Sequence, residues 1–266
     1  MRRGSRWVAG KIVAILIVGL IFIGGLGLIS AGGFSPAGRA ETQNKVNLLD
    51  GQWSDPAIWN GGKVPVSGDT VTISKATKVI YDIFSEAEIE ELSIEGTLIF
   101  SREVNTNLDV GDIFVRPQGY LEIGTESQPI PAGVQATVRF VNSTDGEHSL
   151  NVMGEAQIHG QPLSYVYTVL AQDAERGSSV LYLQDRVGWK PGDHIVVTST
   201  TQDPMQSEDA CIAKVIGRAI TLVTPLKYRH DGREPAQAQV ELLTRNGVIT
   251  SKKPELRGHT RFVEGA

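Results

Sequence analysis

The fold class follows from the stretch Ile113-Phe-Val-Arg-Pro-Gln-Gly119-Tyr-Leu-Glu-Ile123-Gly124. Apolar residues recur at alternate positions, a glycine turn follows, and the alternation then resumes. A period of two is typical of β-strands, and the glycine marks the turn between them. Similar patterns occur at 92–100 around Gly96 and at 150–160 around Gly154. Most of the chain is therefore predicted to be all-β.

The glycines of these repeats are spaced like the corners of a solenoid. Gly96 and Gly119 lie 23 residues apart, and Gly154 follows 35 residues later, so an insertion is expected before it. In a solenoid each short strand buries its face only by stacking on its neighbours. Glycine is then expected at corners that a Cβ would obstruct. An antiparallel sandwich would show the same alternation, so the residues leave solenoid-like and sandwich folds open.

Two tryptophans precede the repeats. The segment Trp53-Ser-Asp-Pro-Ala-Ile-Trp59 is followed by the turn Pro65-Val-Ser-Gly68-Asp69, which leads into an alternating strand. Large aromatic side chains bury roughly 150–250 Å² each, so one interpretation is a plug that closes the end of the β-domain. The other is a platform on which sugar rings stack, with Trp53, Trp59 and Trp189 as the candidate ligand-binding side chains.

Several short motifs, taken together, resemble one family of extracellular domains. In chain order they are Trp53 with Trp59, Gly68-Asp69, Ile80-Tyr-Asp82, Ile94-x-Gly96-x-Leu98-x-Phe100 and Gly119-x-Leu121-x-Ile123-Gly124. Over about residues 50–168 they resemble the eight-glycine (G-eight) domain family, as in fibrocystin and transmembrane cell-surface hyaluronidase-type proteins. The resemblance implies an extracytoplasmic protein that binds or processes polysaccharide or cell-surface glycan. The alternative is a structural or adhesion β-scaffold with neither ligand nor catalysis of its own.

The N-terminal part predicts a membrane-targeting segment. Residues 1–11 are basic, and an uncharged apolar run then occupies most of 12–32. At ~1.5 Å per residue such a run nearly spans a ~30 Å hydrocarbon core. It is either a transmembrane signal anchor or a signal peptide cleaved near Ala40. Because the basic residues precede the run, the segment 1–11 is expected inside and the rest of the chain outside.

The remainder divides into four predicted segments. Residues 33–50 form a linker, and 51–168 form the eight-glycine β-domain. Residues 169–238 form a small β-barrel or sandwich that contains the turn Trp189-Lys-Pro-Gly192-Asp193. The resemblance implies that 239–266 begins a parallel β-helix. One coil cannot bury its own core, so the chain is expected to be a fragment or to need a partner.

Within the predicted eight-glycine domain, one short segment reads as a helix. Ser85-Glu-Ala-Glu-Ile-Glu-Glu91 combines a serine that suits an N-cap with acidic residues that suit a helix N-terminus. A helix of about two turns is therefore expected there.

Charge restricts the class of ligand. The chain carries 25 Lys/Arg and 30 Asp/Glu, for a net charge of −5, and the basic N-terminus makes the rest more acidic still. Nucleic acid is disfavoured as a partner because its phosphates need neutralising charge. The C-terminal segment is the basic exception, so Arg257 and His259 are the candidates for contact with an anionic sugar.

Candidate catalytic groups are sparse. Asp82 ends a predicted strand and is the one weak catalytic candidate, whereas Asp69 and Asp193 lie in Gly-Asp turns, where an Asp side chain commonly bonds the local backbone. No histidine pair or cysteine cluster has metal-ligand spacing. Calcium is compatible with the turn aspartates, but no regular Asp-x-Asp-x-Asp loop supports it. No cofactor is evident, and if the chain is an enzyme, the resemblance implies a hyaluronidase-like polysaccharide hydrolase.

Overall fold

The computed structural model describes residues 42–141, 148–253, 255 and 258–263. These residues form an all-β fold. The strands are β1 (Asn44–Val46), β2 (Gly51–Gln52), β3 (Thr70–Ile73), β4 (Lys78–Tyr81), β5 (Phe84–Ile94), β6 (Thr97–Phe100), β7 (Thr106–Val115), β8 (Tyr120–Ile123), β9 (Ala136–Phe140), β10 (His148–Val152), β11 (Glu155–Ile158), β12 (Tyr167–Val169), β13 (Val180–Tyr182), β14 (His194–Val197), β15 (Glu208–Ile216), β16 (Ala219–Leu222), β17 (Gln239–Leu242), β18 (Gly247–Ser251) and β19 (Gly258–Phe262). Short 3₁₀ helices occupy Pro56–Ile58, Asn60–Gly62 and Pro204–Gln206.

The predicted membrane segment, 12–32, lies outside the described residues, as do 1–11 and the first part of the 33–50 linker. Within the part of the chain that is described, no helix is long and apolar enough to cross a membrane.

Two parallel sheets form the first unit. One has the order β1-β3-β5-β7-β10-β19, with a branch in which β9 pairs with β7 and β18 pairs with β9, and the other has the order β11-β8-β6-β4-β2. From β1 to β8 the chain alternates between these sheets, so each of these coils adds one layer to both. In-register pairing stacks apolar side chains into columns, such as Val71, Leu92, Ile113 and Leu150. Because every pairing in the two sheets is parallel, the first unit is a solenoid and not an antiparallel sandwich.

Three glycines occupy the same corner of successive coils. A Cβ on Gly96 would lie 2.1 Å from the Ser74 carbonyl oxygen, and one on Gly119 would lie 2.0 Å from that of Ile94. A Cβ on Gly154 would likewise lie 2.2 Å from the carbonyl oxygen of Arg116. Real side chains do not approach backbone this closely, so only glycine lets the coils stack at this corner. The expectation of obstructed glycine corners is confirmed.

The predicted helix at Ser85–Glu91 is wrong, because these residues lie in β5. This strand pairs with β3 on one side and with β7 on the other. Ile89 is buried within it, whereas Glu86, Glu88 and Glu90 are exposed, so the acidic residues occupy the outward face of a strand. Pairing on both edges outweighs a local helix preference worth only tenths of a kcal/mol per residue.

The second unit is an antiparallel sheet with the order β12-β17-β14-β15-β16-β13. An antiparallel bridge between Leu170 and Leu183 joins its two outer strands, which closes the sheet into a small barrel with its own apolar core. Strand β17, which the sequence placed at the start of a β-helix, pairs with β12 and β14 of this barrel. Among the described strands after β17, β18 and β19 return to the solenoid, where they stack in parallel on β9 and β10.

The barrel is therefore inserted into the path of the solenoid, and Asn246 fixes the point of return. The Asn246 side-chain amide donates hydrogen bonds to the carbonyl oxygens of Ile130, Pro131 and Val134, each at 3.0 Å. Its side-chain oxygen accepts the backbone N–H of Gln161 at 2.7 Å. One side chain thus joins the departing chain, the returning chain and the coil beneath them.

Candidate functional site

The two Gly-Asp turns have the same geometry in the two units. In the solenoid, the Asp69 carboxylate accepts the backbone N–H of Val66 at 3.0 Å, and Gly68 has a φ of +87°. In the barrel, the Asp193 carboxylate accepts the Lys190 N–H at 2.9 Å, and Gly192 has a φ of +90°. Both aspartates are buried. Each carboxylate therefore caps its own turn, and the positive φ explains why glycine precedes it.

The tryptophans of the first coil lie in the core. Trp53 is 2% and Trp59 1% exposed, and their rings meet edge to face with centroids 4.9 Å apart. The Trp59 indole N–H donates to the Trp53 carbonyl oxygen at 2.9 Å. Tyr81 and Phe100 extend this aromatic stack along the core. Neither indole presents a face to solvent, so neither offers a surface on which a sugar can stack.

Asp82 binds to the neighbouring turn. One carboxylate oxygen accepts the Ser54 backbone N–H at 3.0 Å, and the other accepts the Ser54 hydroxyl at 2.6 Å. The side chain thereby ties the second coil to the Trp53–Trp59 segment, which is a structural role.

Of the two basic candidates from the C-terminal segment, the described residues include His259 alone. His259 lies on β19 and is exposed, whereas Arg257 lies outside the described residues. No group of three or more His, Cys, Asp or Glu within the described ranges has the proximity to hold a metal ion.

Two carboxylates are held ionised by their surroundings. Asp109 is fully buried on β7, and burial alone would raise its pKa. Hydrogen bonds from Arg139, Asn107 and Lys252 outweigh burial and hold the pKa of Asp109 below its usual range. Arg139 contacts both carboxylate oxygens, at 2.7 and 2.9 Å. A general acid needs a raised pKa, so this group is a structural ion pair and not a proton donor.

Glu208 of the barrel is held in the same way. Burial acts to raise its pKa, but hydrogen bonds from the Lys227 N–H, His230 and the Tyr228 N–H hold the pKa below its usual range. Both ring nitrogens of His230 face acceptors, namely the Glu208 carboxylate at 3.1 Å and the Thr198 carbonyl oxygen at 2.9 Å. The pair anchors the loop that contains His230 to the β14–β15 hairpin.

Trp189 forms part of a concave site at the junction of the two units. Its indole N–H donates to the Tyr165 carbonyl oxygen at 2.9 Å, and the residue is 6% exposed. It lines a pocket of about 180 Å³ where the chain leaves and re-enters the solenoid. Lys190, Arg245 and Asn246 supply polar groups to the same pocket.

A shallower groove of about 520 Å³ continues from this pocket, and Ser164 and Tyr165 line both. Tyr165 and Tyr167 are 38% and 59% exposed, and both line the groove. Gln184 and Asp185 form its polar side. The pocket and groove together are called the junction groove. Sequence reasoning missed the two tyrosines, and no strand pattern marks them, because Tyr165 lies before the start of β12 at Tyr167.

The architecture defines an all-β protein in which a glycine-cornered parallel solenoid carries an inserted antiparallel barrel. Residues 58–171 match the family model of the G8 domain, and they include the glycine corners Gly96, Gly119 and Gly154. The chain belongs to the G8 domain family.

Relatives extend the match beyond the solenoid. Human fibrocystin-L is 35% identical over 232 residues, which cover 80% of this chain and 5% of fibrocystin-L. A G8 domain-containing protein of Dictyostelium discoideum is 33% identical over 219 residues, covering 75% of this chain and 19% of that protein. The chain thus spans only a small part of these relatives.

Among solved structures, the Gp54 tailspike of Acinetobacter baumannii bacteriophage AP22, in complex with A. baumannii capsular saccharide, aligns with a TM-score of 0.28 and 12% identity. The alignment covers 74% of this chain and 28% of the tailspike. A TM-score this low relates neither the fold nor the function of the two proteins.

Proposed function

We propose that this chain is an extracellular G8 domain protein that binds carbohydrate in the junction groove. The observation that carries the proposal is the pair of exposed tyrosines, Tyr165 and Tyr167, along the wall of a groove lined by both apolar and polar groups. An aromatic ring with one apolar face and one polar tip suits a surface that is part apolar and part wet. A sugar ring has the same mixed character, with C–H groups on its faces and hydroxyls at its rim.

The polar groups of the junction groove suit the rim of a sugar. Gln184 offers both donors and acceptors, and Asp185 accepts the Thr168 hydroxyl at 2.8 Å while its second oxygen stays available to a ligand hydroxyl. At the pocket end, Lys190 and Arg245 supply cationic donors. The pocket of about 180 Å³ is smaller than the roughly 300–1,000 Å³ of typical ligand sites, so it suits one sugar ring.

Glycan binding by the full chain, purified in mild detergent, tests the proposal. We expect binding on a glycan array, and we expect Tyr167→Ala to weaken the affinity about tenfold, since a well-placed aromatic contact is worth about 1.5 kcal/mol. Tyr228→Ala is the matched control, because Tyr228 is 39% exposed in the barrel but does not line the groove. Equal losses from both variants, or no glycan bound at all, would contradict the proposal.

The extracellular location rests on the apolar run at 12–32 and the basic residues before it. A C-terminal epitope tag should be digested when protease is added to intact cells, while an N-terminal tag is protected. Protection of both tags would place the chain inside the cell.

A second candidate function is an adhesion scaffold without a small ligand. It is favoured by the coil of the solenoid that carries β19, where Phe262 is 71% exposed. Absence of glycan binding together with protein binding at that coil would favour this function.

A further inference from the structure

The barrel carries a hairpin whose outer surface is apolar. Strands β15 and β16 are joined by the two-residue turn Gly217-Arg218, in which Gly217 has a φ of +63°. Two-residue hairpin turns favour glycine at such a position. Cross-strand pairing places Ile216 opposite Ala219 on this hairpin, and Ala219 opposite Tyr182 on β13. The three side chains therefore form one row across three adjacent strands.

This row faces solvent. Ile216 is 62% and Tyr182 is 46% exposed. The residues before them in sequence, Val215 and Leu181, pack in the barrel core, since successive side chains of a strand point to opposite faces. The barrel is inserted between β11 and β18, and both of these strands are described, so the row belongs to the interior of the sequence. A contiguous apolar patch with a polar rim marks a site of interaction with a protein or a membrane.

Three exposed basic side chains surround the row. Lys214 lies on the same outer face as Ile216, two positions earlier on β15. Arg218 belongs to the turn itself. The guanidinium group of Arg186 lies beside this turn, with one terminal nitrogen 3.8 Å from the position that a Cβ on Gly217 would occupy. The apolar row is thus rimmed by positive charge, although the whole chain has a net charge of −5.

The positive charge of this rim is not neutralised by neighbouring groups. In the part of the chain that the structure describes, none of the three cations forms an ion pair, whereas Arg229 of the same barrel pairs with three carboxylates. Asp185, next to Arg186 in sequence, is half-buried and accepts the Thr168 hydroxyl at 2.8 Å. The surface therefore suits an occupant that is anionic and partly apolar.

A bilayer fits these features better than a protein does. A second copy of this chain would bring the same three cations together, and like charges across an interface are unfavourable. A specific protein interface buries about 800 Å² on each partner, which is well beyond what three apolar side chains can supply. A lipid surface needs no shape complementarity. Tyrosine favours its interfacial region, and anionic headgroups attract lysine and arginine.

We propose that this hairpin surface, formed by the row and its basic rim, docks on a bilayer that contains anionic lipids. Ile216 enters the boundary between headgroups and acyl chains, and Tyr182 lies at the interface with its hydroxyl towards water. The three cations contact the lipid phosphates. None of these residues lines the junction groove, so the inference is independent of carbohydrate binding there.

A fluorophore on the hairpin tests the proposal in the full chain. Because the apolar run at 12–32 can itself bind lipid, total vesicle binding is uninformative and the readout is local. The fluorophore NBD is attached to the cysteine of Ile216→Cys, with Cys211→Ser removing the other thiol. We expect its emission to shift to the blue in vesicles of phosphatidylcholine and phosphatidylglycerol, but not in phosphatidylcholine alone. High salt should reduce the shift, since exposed charges are screened.

A second labelling position controls for general contact with lipid. Met205 is 80% exposed and lies beyond the other end of β15. This strand of nine residues is roughly 25 Å long at about 3.3 Å per residue. NBD attached through Met205→Cys, in the same Cys211→Ser background, should keep its emission in both kinds of vesicle.

A charge reversal on the rim tests the role of the cations. Lys214→Glu should lower the ratio of docked to undocked hairpin by about fivefold or more, the effect of one basic side chain near an anionic surface. Lys227→Glu makes the same change at an exposed lysine whose backbone N–H bonds Glu208, at the start of β15, and should leave the ratio unchanged. Both variants should keep the wild-type melting temperature, because both side chains are exposed.

Several results would overturn the proposal. They are no response of the probe at position 216 to anionic vesicles, an equal response to phosphatidylcholine, an equal response of the probe at position 205, or equal behaviour of Lys214→Glu and Lys227→Glu. A blue shift without lipid that grows with protein concentration would assign the hairpin to a second copy. A shift with soluble poly-glutamate but not with vesicles would assign it to an acidic protein, and either result overturns the proposal.

Discussion

The side-chain oxygen of Asn246 accepts the backbone N–H of Gln161 at 2.7 Å, although 85 positions separate the two residues in the chain. The same side chain donates to three carbonyl oxygens of the segment from Ile130 to Val134. The coil that carries β18 therefore depends on an amide that lies outside any strand.

Asn246→Asp should destabilise the protein by about 3 kcal/mol, because it replaces the donor of three hydrogen bonds with an oxygen that faces three carbonyl oxygens. Urea unfolding followed by far-UV circular dichroism measures the change. Asn151→Asp is the control, since the Asn151 amide makes one hydrogen bond, to the Ser149 hydroxyl. A loss below about 0.5 kcal/mol at Asn246 would contradict the role assigned to it.

Gly119→Ala should cost about 2–3 kcal/mol, the upper range for forcing extra atoms into a packed site. The new Cβ would lie 2.0 Å from the Ile94 carbonyl oxygen, and backbone cannot move aside as a flexible side chain can. The thermal melting temperature is the measurement. Gly188→Ala is the matched control, because a Cβ there meets nothing within 4 Å, and its melting temperature should match the wild type.

Ala76→Gly should stabilise the protein. Ala76 has a φ of +58° in the turn after β3 and is the one non-glycine residue with positive φ in the described ranges. The left-handed conformation costs alanine about 1–2 kcal/mol, and the greater unfolded-state entropy of glycine offsets about half of the gain. We expect a net gain of roughly 0.5–1 kcal/mol in the free energy of unfolding.

A glycine elsewhere should have the opposite effect. Ala57→Gly, in the 3₁₀ helix Pro56–Ile58 where φ is negative, should lower stability. If both variants lower the urea midpoint, the positive φ of Ala76 does not reduce the free energy of unfolding.

Acid should destabilise the barrel through Glu208. Its hydrogen bonds with the Lys227 N–H, the Tyr228 N–H and His230 outweigh burial and lower its pKa in the folded state. A lowered folded-state pKa means that the stabilisation is fully present above the unfolded-state pKa of about 4.3 and is lost as pH falls through the folded-state pKa. The urea midpoint should therefore fall steeply below about pH 4.

Glu208→Gln should be less stable at pH 7 and show a shallower dependence on acid. Glu103→Gln changes an exposed glutamate on the solenoid and should reproduce the wild-type pH profile. If the urea midpoint of Glu208→Gln falls with pH in the same way as that of the wild type, the Glu208 carboxylate is not the cause of the acid sensitivity.

The parts of the fold that depend on local chemistry were predictable from the sequence. Gly119 recurs at coil spacing because its corner excludes a Cβ, and Asp69 and Asp193 follow glycine because each turn needs a positive φ and a cap. These constraints act within a few residues or at a fixed period. They therefore produce patterns that can be recognised in a single sequence.

The parts that depend on distant pairing were not predictable. The 85–91 segment has helix-like residues and becomes a strand only because β3 and β7 lie on both sides of it. Strand β17 belongs to the barrel, and Asn246 contacts residues more than 80 positions away, which no local pattern encodes. Tyr165 and Tyr167 line a groove that exists only once the barrel has folded.

The position at which the barrel is inserted, between Gly160 and Asn246, determines how freely the size of the barrel can vary. The chain leaves the solenoid and returns to it at nearly the same place. The whole barrel is therefore equivalent to one closed loop of the solenoid. The entropic cost of closing a loop grows only with the logarithm of its length, by about 0.6 kcal/mol per doubling. A barrel of different size, or a short turn, can occupy that position without disturbing the register of the coils above and below it.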